Sequence, residues 1–126
     1  MRVREAKPAE RGVFMRLAHE YLKGSVEKGG WVQDSDANVE KLAKIFDAFT
    51  TGVRPGTVKM IGHESVLMAG DMGSVFDLTF IKPAQVFLAH GEYQDLLRTA
   101  VVEELKDQGF DVLLTPKPET AEVVKL

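Results

Sequence analysis

Three histidines, His19, His63 and His90, are the side chains of this sequence best suited to moving protons near neutral pH. His90 stands just ahead of a helical pattern. There it is a candidate acid/base or anion contact, or simply an exposed helix-start residue. His63 falls in a turn with Glu64 and Ser65, where a turn role is the simpler reading. His19 falls on the polar side of the first helical pattern. A metal site built from these histidines with Asp71 or Asp77 is not expected, since no pair has H-x-x-x-H-like spacing. Cysteine is absent, which removes thiolate nucleophiles, disulfides, thiolate zinc and iron–sulfur chemistry. Asp77 is a lone carboxylate in an alternating apolar run, and such carboxylates usually face solvent.

These groups need a frame to hold them, and 126 residues are enough for one domain, taken here as 1–126. Hydrophobic residues make up 44% and charged residues 28%, ordinary for a chain with its own core and unlike a disordered one. The net charge of −3 argues against a nucleic-acid partner. Residues 1–28 carry seven Lys/Arg against four Asp/Glu, a local +3 scattered along a solvated face. The start Met1-Arg2-Val3-Arg4-Glu5 has no long apolar run behind it, so no secretory signal is expected. Nothing approaches the ~20 apolar residues of a membrane span, so no membrane partner is expected and a cytoplasmic location is.

Periodicity supplies the elements. Arg2–Ala6 alternates as an edge strand. Val13, Phe14, Leu17, Ala18, Tyr21 and Leu22 form one helical stripe, with Pro8 at its entry and Gly24 at its expected end. Asp34, Ser35 and Asp36 are capping candidates for a second helix with Val39, Leu42, Ala43, Phe46 and Phe49 on one face. Thr57–Ile61, Val66–Ala69 and Val75–Ile81 predict a three-strand meander, interrupted by Lys82-Pro83. Gln85–Leu88 either resumes the third strand or forms a short one of its own. Tyr93, Leu96, Leu97, Ala100, Val101 and Leu105 mark a third helix over about 92–108. Val112–Leu114 is a buried-type strand, stopped by Pro116 and Pro118, and the tail Ala121–Leu126 pairs as an edge strand or frays. The predicted class is α+β, in the order β-α-α-β-β-β-α-β. The sheet is mostly antiparallel with one parallel crossover through the last helix, and helices lie on both faces.

That order, with four short signatures, resembles the GCN5-related N-acetyltransferases, the GNAT superfamily. Val3-Arg4-Glu5-Ala6-Lys7-Pro8-Ala9-Glu10 is similar to the family's start before its first helix. Ser65-Val66-Leu67-Met68-Ala69-Gly70 resembles its third strand. Phe80-Ile81-Lys82-Pro83 resembles the Y-V-x-P after its fourth strand, and Leu96-Leu97 the paired leucines of its cofactor helix. The resemblance implies acetyl-CoA as cofactor and a small-molecule or peptide amine as acceptor. It implies a slot between Val75–Ile81 and Val112–Thr115, with Asp77 and His90 as the catalytic candidates. Phe80, Ile81, Gln85, His90, Gly91 and Glu92 are the implied cofactor contacts. Trp31 would line the acceptor side or cap the core.

The cofactor loop departs from the family. Its Q/R-x-x-G-x-G/A pattern lets glycine backbone and a helix N-terminus meet a pyrophosphate. Here the stretch is Gln85-Val86-Phe87-Leu88-Ala89-His90-Gly91-Glu92, with one glycine and a carboxylate in the first turn. Lys82 and Arg98 are the cations that could compensate. The helix that carries the family's thiolate-protonating tyrosine has no counterpart after Val112–Leu114. This departure, with Pro83-Ala84-Gln85-Val86-Phe87-Leu88, resembles the GNAT-like internal virion proteins of short-tailed phages. That narrower resemblance implies lost activity, a virion location and a virion or host protein as partner, with homo-oligomers left open. A ferredoxin-like interaction domain is a third reading, because β-α-β-β-α-β lies within the same string.

Overall fold

The computed structural model describes residues 2–27, 35–71, 81–117 and 120–126. Its elements are β1 (Val3–Glu5), a 3-10 turn (Pro8–Glu10), α1 (Arg11–Glu27), α2 (Asp36–Thr50), β2 (Gly56–Ile61), β3 (Ser65–Asp71), β4 (Pro83–His90), α3 (Gln94–Asp107), β5 (Val112–Lys117) and β6 (Thr120–Lys125). The chain is an α+β domain built on one six-stranded mixed sheet.

The strands lie in chain order. Every neighbouring pair is antiparallel except β4 and β5, which α3 joins by a parallel crossover. Alternation along the strands feeds two cores. Val58, Met60, Val66, Met68 and Leu88 pack with Phe14, Leu17 and Leu22 of α1 and Val39, Phe46 and Phe49 of α2. Ile61, Leu67, Ala69, Ala84, Val86 and Leu113 pack with Leu97, Val101 and Leu105 of α3. Phe14 and Phe46 stack with ring centroids 4.5 Å apart, joining α1 to α2.

Local chemistry sets several boundaries. Ser35 caps α2, its hydroxyl accepting the Asn38 N–H at 3.2 Å. Glu10 ties the entry of α1 to β1. Its carboxylate accepts from both Arg4 guanidinium nitrogens, at 2.5 and 2.6 Å, and from the Lys7 N–H at 3.1 Å. The Arg4 hydrogen bonds hold the Glu10 carboxyl below the usual carboxylate range. Phe49 lies on a floor of two glycines, Gly56 and Gly70, which face each other across β2 and β3. A Cβ on either would stand 2.6 Å from the Phe49 ring.

Two expectations need correcting, the end of α1 and the end of β5. Gly24 lies inside α1, which runs on to Glu27; nothing crowds it, and a helical glycine costs only about 1 kcal/mol. The expected strand Val75–Ile81 lies outside the described residues except for Ile81, an isolated bridge, and Gln85–Leu88 falls within the longer strand Pro83–His90. Pro83 opens that strand, a position where its missing donor is tolerated. Pro116 does not stop β5, which continues to Lys117 opposite Thr120. By Pro116 the β4 neighbour has already left the ladder, so no pairing on that side is lost. The tail pairs as β6 along its whole length. The ferredoxin-like alternative, which kept its central strands paired, does not fit a sheet whose β4 and β5 separate.

Candidate functional site

β4 and β5 pair over only Pro83–Gln85 and Val112–Leu114. Beyond that point β4 runs on to His90 and β5 to Lys117 without pairing each other. A bulge in β4 accompanies the separation. Met68 faces Leu88 and Ala69 faces Val86, so Phe87 is the extra residue. A bulge adds twist and swings the strand away from its former line. Edge N–H and C=O groups of β4 past Gln85 therefore face a gap.

A cleft of about 400 Å³ occupies that gap, under α1 and α2. Leu22, Leu42, Val86 and Phe87 supply its apolar wall. Tyr21, Asn38, Lys41, Gln85 and Thr115 supply polar groups. A mainly apolar hollow with a few convergent polar groups is the usual form of a small-molecule site. Burial pushes the Tyr21 phenol above its ordinary range, so at neutral pH it is a proton donor. Thr115 Oγ1 is buried with no hydrogen-bond partner among the described residues. Sequence reasoning named Gln85 from this set but missed Tyr21, Asn38, Lys41 and Thr115. Lys41 and Asn38, one helical turn apart on α2, carried the available signal.

The sequence-predicted residues do not all converge here. Gln85 lines the cleft, while Ile81 stands two residues before β4 and is 44% exposed. Gly91 and Glu92 follow the far end of β4, about 20 Å from Gln85 at the rise of a strand. Phe80, Asp77 and Trp31 lie outside the described residues. His90 closes β4 and bonds through Nε2 to the Glu20 carboxylate of α1 at 3.1 Å. Glu20 also pairs with Arg16 at 3.0 Å, and Arg16 donates to the His63 carbonyl. Among the described residues, no group of three His, Asp or Glu side chains could hold a metal ion.

The stretch Gln85–Glu92 is strand as far as His90, so the link to α3 is only Gly91-Glu92-Tyr93. Gly91 has φ +93°, and a Cβ there would lie 2.4 Å from the Glu64 carbonyl and 2.5 Å from Ser65 Oγ. Close packing thus accounts for this glycine without any ligand. The Gln94 amide reaches back to the His90 carbonyl at 2.8 Å and the Gly91 carbonyl at 3.2 Å. Tyr93 caps α3 at φ +62°, with no side-chain cap bond. Glu92 and Asp95 put two exposed carboxylates at this terminus.

Neither compensating cation is available. Lys82 Nζ donates to the Gln108 carbonyl at 3.1 Å and lies 4.5 Å from the Phe110 ring centroid. Arg98 pairs with Glu122 at 3.4 Å. A second hollow, of about 510 Å³, borders Tyr93 and includes Arg4 and His63. Glu10 is bidentate to Arg4 and lies 3.8 Å from His63.

No protein-family model matches the chain, and no curated protein does. Among solved structures, the chain is similar in fold to a point mutant of the BH1408 protein from Bacillus halodurans. The TM-score is 0.65 at 15% identity, covering 93% of this chain and 82% of that one. At that identity the likeness establishes a shared fold alone. Among the described residues, no helix is long and apolar enough to cross a membrane.

Proposed function

We propose that this chain is a divergent GNAT-like protein whose β4–β5 cleft takes an acyl thioester arm, with acetyl-CoA as the cofactor and an amine as acceptor. One observation carries the reading: β4 and β5 part after three paired residues, and a mainly apolar cleft fills the gap. The chemistry is addition of an amine to a thioester carbonyl. Unpaired β4 N–H groups past Gln85 can donate to the oxygen that becomes negative. Tyr21 can return a proton to the leaving thiolate, the part for which sequence reasoning found no residue. His90, oriented by Glu20, stands one residue beyond Ala89 of the cleft wall and is the described candidate for the base.

A specific observation also favours a second reading, a protein of the same fold that has lost transfer and serves as an interaction module, with a virion or host protein as partner. Gly91 is used for packing, Glu92 and Asp95 repel anions, and Lys82 and Arg98 are engaged elsewhere. That terminus offers a pyrophosphate little.

Acetyl-CoA binding separates the two. A cofactor bound only by the folded state stabilises it by about 2.7 kcal/mol at a hundred times its Kd. The transferase reading expects a rise in melting temperature at millimolar acetyl-CoA. No rise would reject it and leave the interaction module.

A further inference from the structure

We propose that the β4–β5 cleft recognises a small apolar molecule carrying one carboxylate, met by the Lys41 ammonium at the rim. The proposal rests on the transferase reading only in making this molecule the amine acceptor; the carboxylate site itself stands on the cleft.

Charge is the first support. Lys41 is the one formal charge among the described residues of the cleft wall, and it has no carboxylate partner among them. Four arginines are matched, Arg4 to Glu10, Arg11 to Glu40 and Asp47, Arg16 to Glu20 and Arg98 to Glu122, whereas Lys41 is the cation, unpaired among the described residues, that stands at the cleft. An unmatched ammonium over an apolar hollow favours an anionic ligand. A polyamine or lysine-rich peptide would need carboxylates, and the described wall offers none. Polar capacity is the second support. Among the described residues the Gln85 amide has no side-chain hydrogen bond and the buried Thr115 hydroxyl has no partner. A buried polar group without a partner is costly, and a ligand's polar atom would satisfy it. Shape is the third: Leu22, Leu42 and Phe87 receive a hydrocarbon tail. A phosphate is disfavoured, because it calls for several donors or a bidentate Arg where one Lys stands.

A matched series tests this on the full-length protein by calorimetry: phenylalanine, 3-phenylpropionate, phenylalaninamide and 2-phenylethylamine. The first two should bind, and the last two, lacking the carboxylate, should bind at least tenfold more weakly. Lys41→Gln should abolish that difference, while Lys44→Gln, an exposed control on the same helix, should keep it. Equal binding of all four, no binding of any, or preference retained in Lys41→Gln would overturn the proposal. Acetyl-CoA titrated into the same samples separates the two claims. Carboxylate preference without acetyl-CoA binding leaves the anion site and removes the transferase. Acetyl-CoA binding without carboxylate preference does the reverse.

Discussion

The two ends of the unpaired stretch of β4 differ in how completely their polar groups are used. At the cleft, the Lys41 and Gln85 side chains and the Thr115 hydroxyl are unengaged among the described residues, and backbone edges stand open. At the turn into α3, Gly91 is pressed against Ser65, the Gln94 side-chain N–H groups tie down two carbonyls although its buried Oε1 has no partner among the described residues, and Glu10 holds the neighbouring Arg4. Under the proposed GNAT-like reading, the second region would be expected to bind the cofactor's phosphates. Here it is a structural joint, and the open polar groups lie in the gap between strands. A degenerate loop therefore says less about the whole site than its motif suggests.

The sharpest way to break this contrast is at the joint. Gly91→Val should destabilise the fold by about 3 kcal/mol or more, from the positive φ and the clash with Glu64 and Ser65, with or without cofactor present. Chemical denaturation measures it. A cost below about 1 kcal/mol would mean that the joint is loose and free to serve a ligand.

Gly70→Ala should cost about 1–3 kcal/mol, since its Cβ would meet Phe49 and the Gly56 backbone at 2.6 Å. Phe49→Leu in the same background should recover part of that loss, which a double-mutant cycle would detect.

Glu10→Gln should cost about 1 kcal/mol at neutral pH, kept small by water around the half-exposed Arg4. The pH dependence has a definite sign. Glu10 titrates lower folded than unfolded, so its contribution is present above the unfolded value of about 4.3. It is lost as pH falls through the lower folded value. Stability curves of wild type and Glu10→Gln should therefore converge in acid. Curves that stay parallel down to pH 2 would contradict the Arg4–Glu10 account.

The smallest effect belongs to the cleft. Tyr21→Phe should change stability by less than about 0.5 kcal/mol, because its hydroxyl makes no hydrogen bond among the described residues. If transfer occurs, the same change should lower kcat while leaving KM near its starting value.

Much of this frame was legible. The apolar stripes of α1, α2 and α3 were plain, as were the Ser35 cap and the crossover into Val112–Leu114, because each is a local pattern. The full extent of β4 was hidden for two physical reasons. Lys82-Pro83 reads as a breaker, yet proline is tolerated as a first strand residue. The bulge puts Phe87 and Leu88 in succession and spoils the alternation that would have announced a strand. The role of Gly91 was misjudged because its reason, Ser65, comes from another strand. The Glu20–His90 bond spans 70 positions and leaves no local trace. Lys41 reads as an ordinary solvated lysine until β4 and β5 are seen to part beneath it.

The most direct test is a backbone amide NMR map of the protein titrated with acetyl-CoA. Saturable shifts at Val86–Ala89 and Thr115, with little change at Gln94–Leu96, are the predicted result. Shifts centred on Gly91–Leu96, or no shifts at millimolar acetyl-CoA, would contradict it.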